Sequence, residues 1–259
     1  MYKKLIVSGC SFTVNDFAGP AASQRHSWAH FLAEKYNLEL VDLAMAGAGN
    51  KHIADSLILY LEQNSLDITE VLIGIMWSAI SRTEWMISFP DQRYSKYHRY
   101  DYTNAVSRVE SNQILHDHGL SRELVNHDPD LAMIEIAYSR GDQARHLQGL
   151  LSMVYLNSYL ISKGYTFFQT HFFNPDGDKK QSGELNGSRY ADAYDRFGIA
   201  RPTTGVLNFA PDQFLGNWAA NQNLIWGSND HHPTIPGHKL WTETVLIPQL
   251  IQQKLLSDG

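Results

Sequence analysis

Ser11 and an acidic, histidine-rich segment near the carboxyl terminus are the residues of this chain that could do chemistry together. Ser11 ends the stretch Leu5-Ile6-Val7-Ser8-Gly9-Cys10-Ser11, and the other segment reads Asp230-His231-His232-Pro233. A histidine that accepts the hydroxyl proton makes a serine nucleophilic, and a neighbouring carboxylate holds the imidazole in the required tautomer. The two segments therefore predict acyl transfer through Ser11, with a histidine as base and Asp230 as its orienting acid.

Each half of this arrangement also has a structural interpretation. Ser11 could be only a turn residue after a strand, and clusters of surface histidines are common. Cys10 is a chemically possible nucleophile, but a residue directly after Gly9 is expected to pack inward, where a thiol is usually inert. The functional interpretation therefore depends on a fold that brings the two segments together.

The first 77 residues alternate between strand and helix patterns. Apolar runs predict strands at 5–8, 38–44 and 71–77, and helical spacing predicts helices at 28–36, with Ser27 as N-cap, and at 52–61. This alternation predicts right-handed crossovers and a parallel sheet, and therefore an α/β fold. Ser11 would lie at the carboxyl end of the first strand, where open α/β sheets bind their ligands.

Regular patterns return in the second half of the chain. Residues 143–163 predict a long helix, residues 165–171 a strand, and residues 224–226 a last short strand. Residues 235–256 are largely helical in pattern, and Pro248 should bend or split that segment.

Two ranges lack a regular spacing of apolar residues. We interpret the chain, residues 1–259, as a single domain that contains both ranges. Residues 84–137 predict an inserted lid or cap, whose tyrosines could line a sugar-like substrate or simply attach the insertion to the body. Residues 174–218, rich in Gly, Asn, Asp and Pro, predict a long loop excursion.

Composition and charge exclude several classes of protein. Hydrophobic residues make up 43% of the chain and charged residues 19%, so a packed core is possible. The net charge of −6, without clusters of lysine and arginine, argues against nucleic acid and anionic membranes as partners. Cys10 is the single cysteine, which excludes an intramolecular disulfide and a cysteine-built zinc site.

The amino-terminal residues do not predict export. Only Leu5 to Ser8 separate Lys4 from Gly9, whereas a signal peptide needs roughly 7–15 apolar residues there. No stretch approaches the roughly 18 apolar residues of a membrane span. We therefore expect a cytoplasmic protein.

Three blocks of the sequence resemble those of the GDSL, or SGNH, hydrolase superfamily. Gly9-Cys10-Ser11-Phe12-Thr13 is similar to the Gly-Asp-Ser-Leu block, the turn from Leu43 to Asn50 to the second block, and the Asp-His-His-Pro segment to the last block. The resemblance implies a flavodoxin-like α/β/α sandwich of three layers with a five-stranded parallel sheet. It also implies Ser11 as nucleophile, His232 as base, Asp230 as its acid, and no metal or organic cofactor.

The oxyanion hole of the family is matched only in part. Its second block supplies a backbone N–H from a glycine, here Gly47 or Gly49, of which Gly47 is favoured. Its third block supplies an asparagine, which is missing here; Ser78 is the nearest replacement, and Arg82 could contribute from the same loop. We expect the oxyanion donors to be the N–H groups of Ser11 and Gly47 and the hydroxyl of Ser78.

The acid also departs from the family pattern. It usually lies three residues before the histidine, a position held here by Asn229, whereas Asp230 lies two residues before His232.

Together these features predict a serine esterase that hydrolyses a small acyl ester, with an O-acetyl group on a carbohydrate as the expected substrate. Gly49, Asn50, Arg82 and His171 are candidate substrate-binding residues, although Asn50 could instead cap the second helix and His171 could be structural. Two alternatives keep the same residues: a catalytically impaired binding or structural protein on this fold, and an O-acyltransferase.

Overall fold

The computed structural model describes residues 2–14, 26–78, 83–87, 96–100, 141–175, 190–227 and 230–257. The helices and strands of these residues, in chain order, are β1 Lys4–Gly9, α1 Trp28–Tyr36, β2 Glu39–Asp42, α2 Asn50–Gln63, β3 Val71–Trp77, β4 Thr83–Ile87, β5 Lys96–Tyr100, α3 Gly141–Lys163, β6 Thr166–His171, α4 Tyr190–Phe197, α5 Leu215–Asn221, β7 Ile225–Gly227, β8 Asp230–Pro233, α6 Ile235–Trp241 and α7 Ile247–Gln252.

Strands β1, β2, β3 and β6 form a parallel sheet in the order β2-β1-β3-β6. Gly9 pairs with Met76, and Trp77 pairs with His171, so the carboxyl ends of β1, β3 and β6 lie at one edge. The predicted α/β fold with a parallel sheet is thus confirmed. The expected short strand near residue 225 is β7, which pairs with β8 in a separate antiparallel ribbon.

The central strands are buried along their length. Every residue of β3 is buried, as expected for an unbroken apolar run in a parallel sheet covered on both faces. Trp28 of α1 packs on the middle of the sheet: a Cβ added to Gly74 would lie 3.0 Å from the Trp28 ring and 2.7 Å from Phe168. Helix α1 begins as predicted, because the Ser27 side chain accepts from Ala29 N at 3.3 Å.

The helices form two groups on this sheet. Helices α2 and α3 pack against each other, and α2 also contacts β1 and β3. Helices α1 and α6 pack together near β1 and β2. The carboxyl ends of β1, β3 and β6, with the residues that follow them, carry the candidate site.

The carboxyl-terminal helical segment passes Pro248 by changing its hydrogen-bond pattern. A π-helical turn over Thr242–Leu246 joins α6 to α7, and Ile247 N–H bonds to the carbonyl of Thr242, five residues earlier. Pro248 then lies in the first turn of α7, where a missing N–H removes no helical bond.

The two irregular ranges have different outcomes. Within the predicted insertion at 84–137, β4 and β5 form an antiparallel pair; most of that range lies outside the described residues, so the lid stays a prediction. Within the predicted excursion at 174–218, residues 190–218 contain α4 and most of α5, and Tyr190 and Leu207 are buried. This part of the range contributes to the core.

Among the described residues, no helix combines the length and the apolarity that a membrane crossing needs.

Candidate active site

Ser11 lies on a tight turn directly after β1. The carbonyl of Cys10 accepts from Thr13 N at 2.9 Å and from Val14 N at 3.2 Å, which closes the turn. Residue 9 must be glycine here, because a Cβ would stand 2.3 Å from the Thr13 hydroxyl. That hydroxyl accepts from Trp28 Nε1 at 3.2 Å, which ties the turn to α1. Cys10 and Thr13 point into the core, whereas Ser11 stays partly exposed.

His232 of β8 lies against Ser11. Its Nε2 is 2.7 Å from Ser11 Oγ, although 221 residues separate the two along the chain. With Nε2 accepting the hydroxyl proton, the neutral ring carries its own proton on Nδ1, the tautomer that serine hydrolases use. The arrangement can move a proton from a serine hydroxyl to an imidazole.

Two aromatic rings hold the His232 imidazole in place. The ring stacks on Phe12 with centroids 4.6 Å apart, and Phe12 stacks on Phe172 at the same distance. Phe12 and Phe172 are buried. Since Phe12 directly follows Ser11, the ring that packs on His232 belongs to the same turn as Ser11. Sequence reasoning missed this role of both phenylalanines.

The side chain of Asp230, the predicted acid, lies outside the described residues. Asp230 begins β8, and its backbone pairs with Gly227. Asn229 and Arg82 lie outside the described residues as well. Their roles stay predictions.

Ser78, the residue after β3, is held by two buried side chains. Its N–H donates to Asn50 Oδ1 at 2.9 Å, and its carbonyl accepts from the Tyr190 hydroxyl. Asn50 Nδ2 donates to that same hydroxyl at 2.8 Å, which closes a ring of three hydrogen bonds. Asn50, Ser78 and Tyr190 are all buried. We call these three residues the Ser78 clamp.

The Ser78 clamp changes two expectations. Asn50 does not cap the second helix: Gly49 occupies the N-cap of α2, and the Asn50 side chain bonds instead to Ser78 and Tyr190. The backbone N–H of Ser78 is already used, whereas its buried hydroxyl has no hydrogen-bond partner among the described residues. A buried hydroxyl without a partner is uncommon and costs free energy, so this hydroxyl is the donor that Ser78 can offer.

The remaining predicted residues that the structure describes lie in the turn before α2 and at the end of β6. Gly47 has φ 73°, in the left-handed region that glycine tolerates, within the turn before α2. Met45 N donates to Gly9 O at 3.1 Å, so that turn is fastened beside the Ser11 turn. His171, at the end of β6, packs its ring on Tyr190 with centroids 4.4 Å apart.

His238 of α6 is a buried histidine near the pair. Its Nδ1 accepts from Trp28 N at 3.3 Å. Burial, and secondly the neighbouring His232, lower the pKa of His238 to about 3, so its ring is neutral at physiological pH. The sequence contains one signal for it: the helical spacing places His238 on the same buried face as Trp241.

Ser11 and His232 line a small pocket that is open to solvent. Val14, Trp226, Ile235 and His238 are among the other residues that line it. Among the described side chains, no cluster of His, Cys, Asp and Glu is arranged to bind a metal ion.

A family model described as "Family of unknown function (DUF6071)" matches residues 15–257. The chain belongs to this family. No curated protein sequence matches it significantly.

Several solved structures are similar to the chain. A psychrotrophic esterase from Pseudoalteromonas sp. is 11% identical, with a TM-score of 0.48 and 98% of each chain covered. A member of the lipolytic protein G-D-S-L family from Veillonella parvula is 11% identical, with a TM-score of 0.47 over 94% of this chain and 96% of that chain. An acetyl xylan esterase from Butyrivibrio proteoclasticus is 11% identical, with a TM-score of 0.44 over 98% of this chain and 65% of that chain. Identities and TM-scores this low assign no activity.

Proposed function

We propose that this protein is a serine esterase that cleaves a small acyl ester through an acyl-enzyme on Ser11. The observation that carries the proposal is the 2.7 Å contact between Ser11 Oγ and His232 Nε2 at the carboxyl edge of a parallel sheet. Nucleophilic acyl transfer needs at least a serine hydroxyl within hydrogen-bond distance of an imidazole whose position is fixed. The resemblance to SGNH hydrolases, with its three layers and fifth strand, is part of the same proposal.

Ser11 and His232 divide the reaction between them. Ser11 Oγ attacks the carbonyl carbon while its proton passes to His232 Nε2, and Asp230 is the proposed acid that stabilises the imidazolium. The C–O bond to the alcohol then breaks, and the departing alkoxide takes the proton from His232. Water, deprotonated by His232, next attacks the acyl carbonyl, and Ser11 leaves with the proton restored to its Oγ.

Three donors are proposed for the oxyanion. They are the N–H groups of Ser11 and Gly47 and the hydroxyl of Ser78. One donor of this kind is worth about 10²–10³ in rate. The Ser78 clamp supports the third assignment, because it fixes the Ser78 backbone and leaves the hydroxyl without a partner among the described residues.

Two alternative functions would use the same residues, Ser11, His232 and Ser78. In the first, the Ser78 hydroxyl stands where SGNH hydrolases have an asparagine and offers a single rotatable donor. Hydrolysis would then be weak, and binding would be the main function. In an O-acyltransferase a sugar hydroxyl would replace water in the second half-reaction, with no change in the protein groups used. We propose an O-acetyl group on a carbohydrate as the substrate in each case, and the cytoplasm as the location.

The test compares three purified proteins: the parent, Ser11→Ala, and the matched control Ser65→Ala. Ser65 is exposed on the loop between α2 and β3, at the opposite edge of the sheet from Ser11. We expect the parent and Ser65→Ala to hydrolyse p-nitrophenyl acetate and to label with a fluorophosphonate probe, and Ser11→Ala to do neither. Equal hydrolysis by all three, or none above buffer, refutes the esterase. Labelling of Ser11 refutes the impaired alternative, and formation of an acylated sugar when an acceptor is present identifies the transferase.

A further inference from the structure

The Phe12 ring lies face to face with the imidazole of the proposed base. The centroids of the Phe12 and His232 rings are 4.6 Å apart, and their planes are inclined by 26°. The faces of a benzene ring carry negative partial charge, so they attract a cation within about 6 Å of the ring centre. The base must be neutral to accept the Ser11 proton, and it is an imidazolium once it has done so. Phe12 therefore contacts the charged form more favourably than the neutral form.

The surroundings of Phe12 strengthen this attraction. Phe12 is 3% exposed, and the rings of Phe172 and Phe173 pack on it with centroids 4.6 Å and 5.6 Å away. Both of these rings are buried as well. Water that would screen the charge of the imidazolium is thus largely excluded from the Phe12 side of the stack. A cation–π interaction is worth more in such a place than at an exposed surface.

Ser11 and Phe12 are consecutive residues of one turn, and both contact His232. Ser11 Oγ lies 2.7 Å from Nε2, at the edge of the imidazole, whereas the Phe12 ring covers its face. Two hydrogen bonds to the Cys10 carbonyl hold the turn closed. One turn thus supplies both the proton and the aromatic surface that stabilises the ring after the proton has moved.

The ionisable groups around His232 leave a separate role for Phe12. Burial lowers the pKa of His238 to about 3, so that ring adds no charge at neutral pH. Helix α5, which packs on β8, contains no ionisable side chain, and His26 lines the same pocket as His232. The proposed acid, Asp230, would act on Nδ1–H in the plane of the imidazole, whereas Phe12 acts on its face.

We propose that the Phe12 ring stabilises the imidazolium of His232 through a cation–π interaction and thereby accelerates the step in which Ser11 loses its proton. The effect on the rate rests on the proposed esterase function, whereas the effect on the charge of His232 does not. A ring that only filled space would stabilise the neutral and the charged imidazole equally. Phe12 is in this sense a positioning residue with an electrostatic role.

Fluorination of the Phe12 ring tests the proposal, because fluorine withdraws negative charge from the faces of the ring and changes its shape little. Site-specific incorporation replaces Phe12 by its 4-fluoro, 3,5-difluoro and pentafluoro derivatives. NMR of ¹³C-labelled histidine then gives the ratio of imidazolium to neutral His232, at one pH where both forms are populated. The His232 signal is assigned by its loss in His232→Gln. We expect the ratio to fall as fluorines are added, to about one fifth of its parent value in the pentafluoro protein.

Two further proteins separate the electrostatic role from packing. Pentafluorination of Phe168 is the matched control, since this ring is fully buried in β6 and contacts Trp28 with centroids 5.9 Å apart. It should leave the charge ratio of His232 at the parent value. Phe12→Leu fills space without an aromatic face, and it should lower the ratio about as much as pentafluorination of Phe12.

Hydrolysis of p-nitrophenyl acetate by the same proteins tests the effect on the rate. We expect kcat to fall in the order of the charge ratio while KM stays the same, because the imidazolium forms in the transition state and not on substrate binding. A kcat that is constant across the Phe12 series in an active enzyme would overturn the effect on the rate.

The NMR result is independent of the esterase proposal. A charge ratio that does not depend on the number of fluorines, or that changes equally on fluorination of Phe168, overturns the cation–π role whatever the hydrolysis assay gives. A graded ratio in a protein whose parent form hydrolyses no ester supports the cation–π interaction and refutes the esterase.

Discussion

Tyr190→Phe tests the Ser78 clamp, because it removes one oxygen and leaves the ring in place. The Tyr190 hydroxyl donates to the Ser78 carbonyl and accepts from Asn50 Nδ2 at 2.8 Å. Both partners are buried, so each loses a hydrogen bond that water cannot replace. A buried polar group left unsatisfied costs about 1–3 kcal/mol.

The expected magnitude follows from these two groups. Asn50 Nδ2 keeps a weak contact with Met153 Sδ at 3.7 Å, so its loss lies at the low end of that range. The Ser78 carbonyl has no such substitute within the described clamp. We expect Tyr190→Phe to lower the free energy of unfolding by about 2–4 kcal/mol.

Urea-induced unfolding at 25 °C, followed by tryptophan fluorescence, measures this change. Tyr155→Phe is the control, since that hydroxyl belongs to a side chain 61% exposed on α3, and it should change stability by less than about 0.5 kcal/mol. If Tyr190→Phe matches Tyr155→Phe, the hydrogen bonds of the clamp contribute nothing and the reasoning is wrong. In the folded variant, we also expect kcat for p-nitrophenyl acetate to fall while KM stays the same, because the role proposed for Ser78 is to stabilise the oxyanion and not to bind substrate.

Three further results are expected. Between pH 6.5 and 3 the unfolded chain protonates His238 while the folded protein does not, so acidification should lower the free energy of unfolding, and His238→Gln should weaken that dependence in urea titrations at pH 7 and 5. Gly9→Ala should displace the Ser11 turn, because the new Cβ meets the Thr13 hydroxyl. We expect the free energy of unfolding in urea to fall by about 1–3 kcal/mol and fluorophosphonate labelling to be lost. Normal labelling would contradict this expectation. Cys10 is fully buried, so it should react with a thiol reagent such as DTNB only after unfolding; rapid reaction of the native protein would contradict its burial.

The sheet was predictable because its signals are local. The buried run of β3 and the Ser27 cap of α1 each lie within a few neighbouring residues. The proximity of Ser11 and His232 was expected from the resemblance of two short blocks, and the structure places the two side chains within hydrogen-bond distance. Their catalytic roles stay predictions.

The clamp could not be predicted, because its signals are not local. Asparagine is favoured at helix N-caps, which makes Asn50 resemble a cap, yet its partners Ser78 and Tyr190 lie 28 and 140 residues away. Tyr190 begins a helix of eight residues within a range rich in loop-forming residues. A helix this short has little stability of its own, so its packing on the core, rather than its sequence pattern, establishes it.

The contact between Ser11, which follows β1, and His232 of β8 also constrains when the proposed site can exist. The contact between Ser11 and His232 closes a loop of 221 residues, and loop-closure entropy makes such contacts late and unfavourable until the intervening chain is folded. During synthesis the amino-terminal strands can assemble well before β8 has been made. The proposed esterase activity therefore requires that β8 has folded onto the Ser11 turn, and a fragment without β8 is expected to show no hydrolysis.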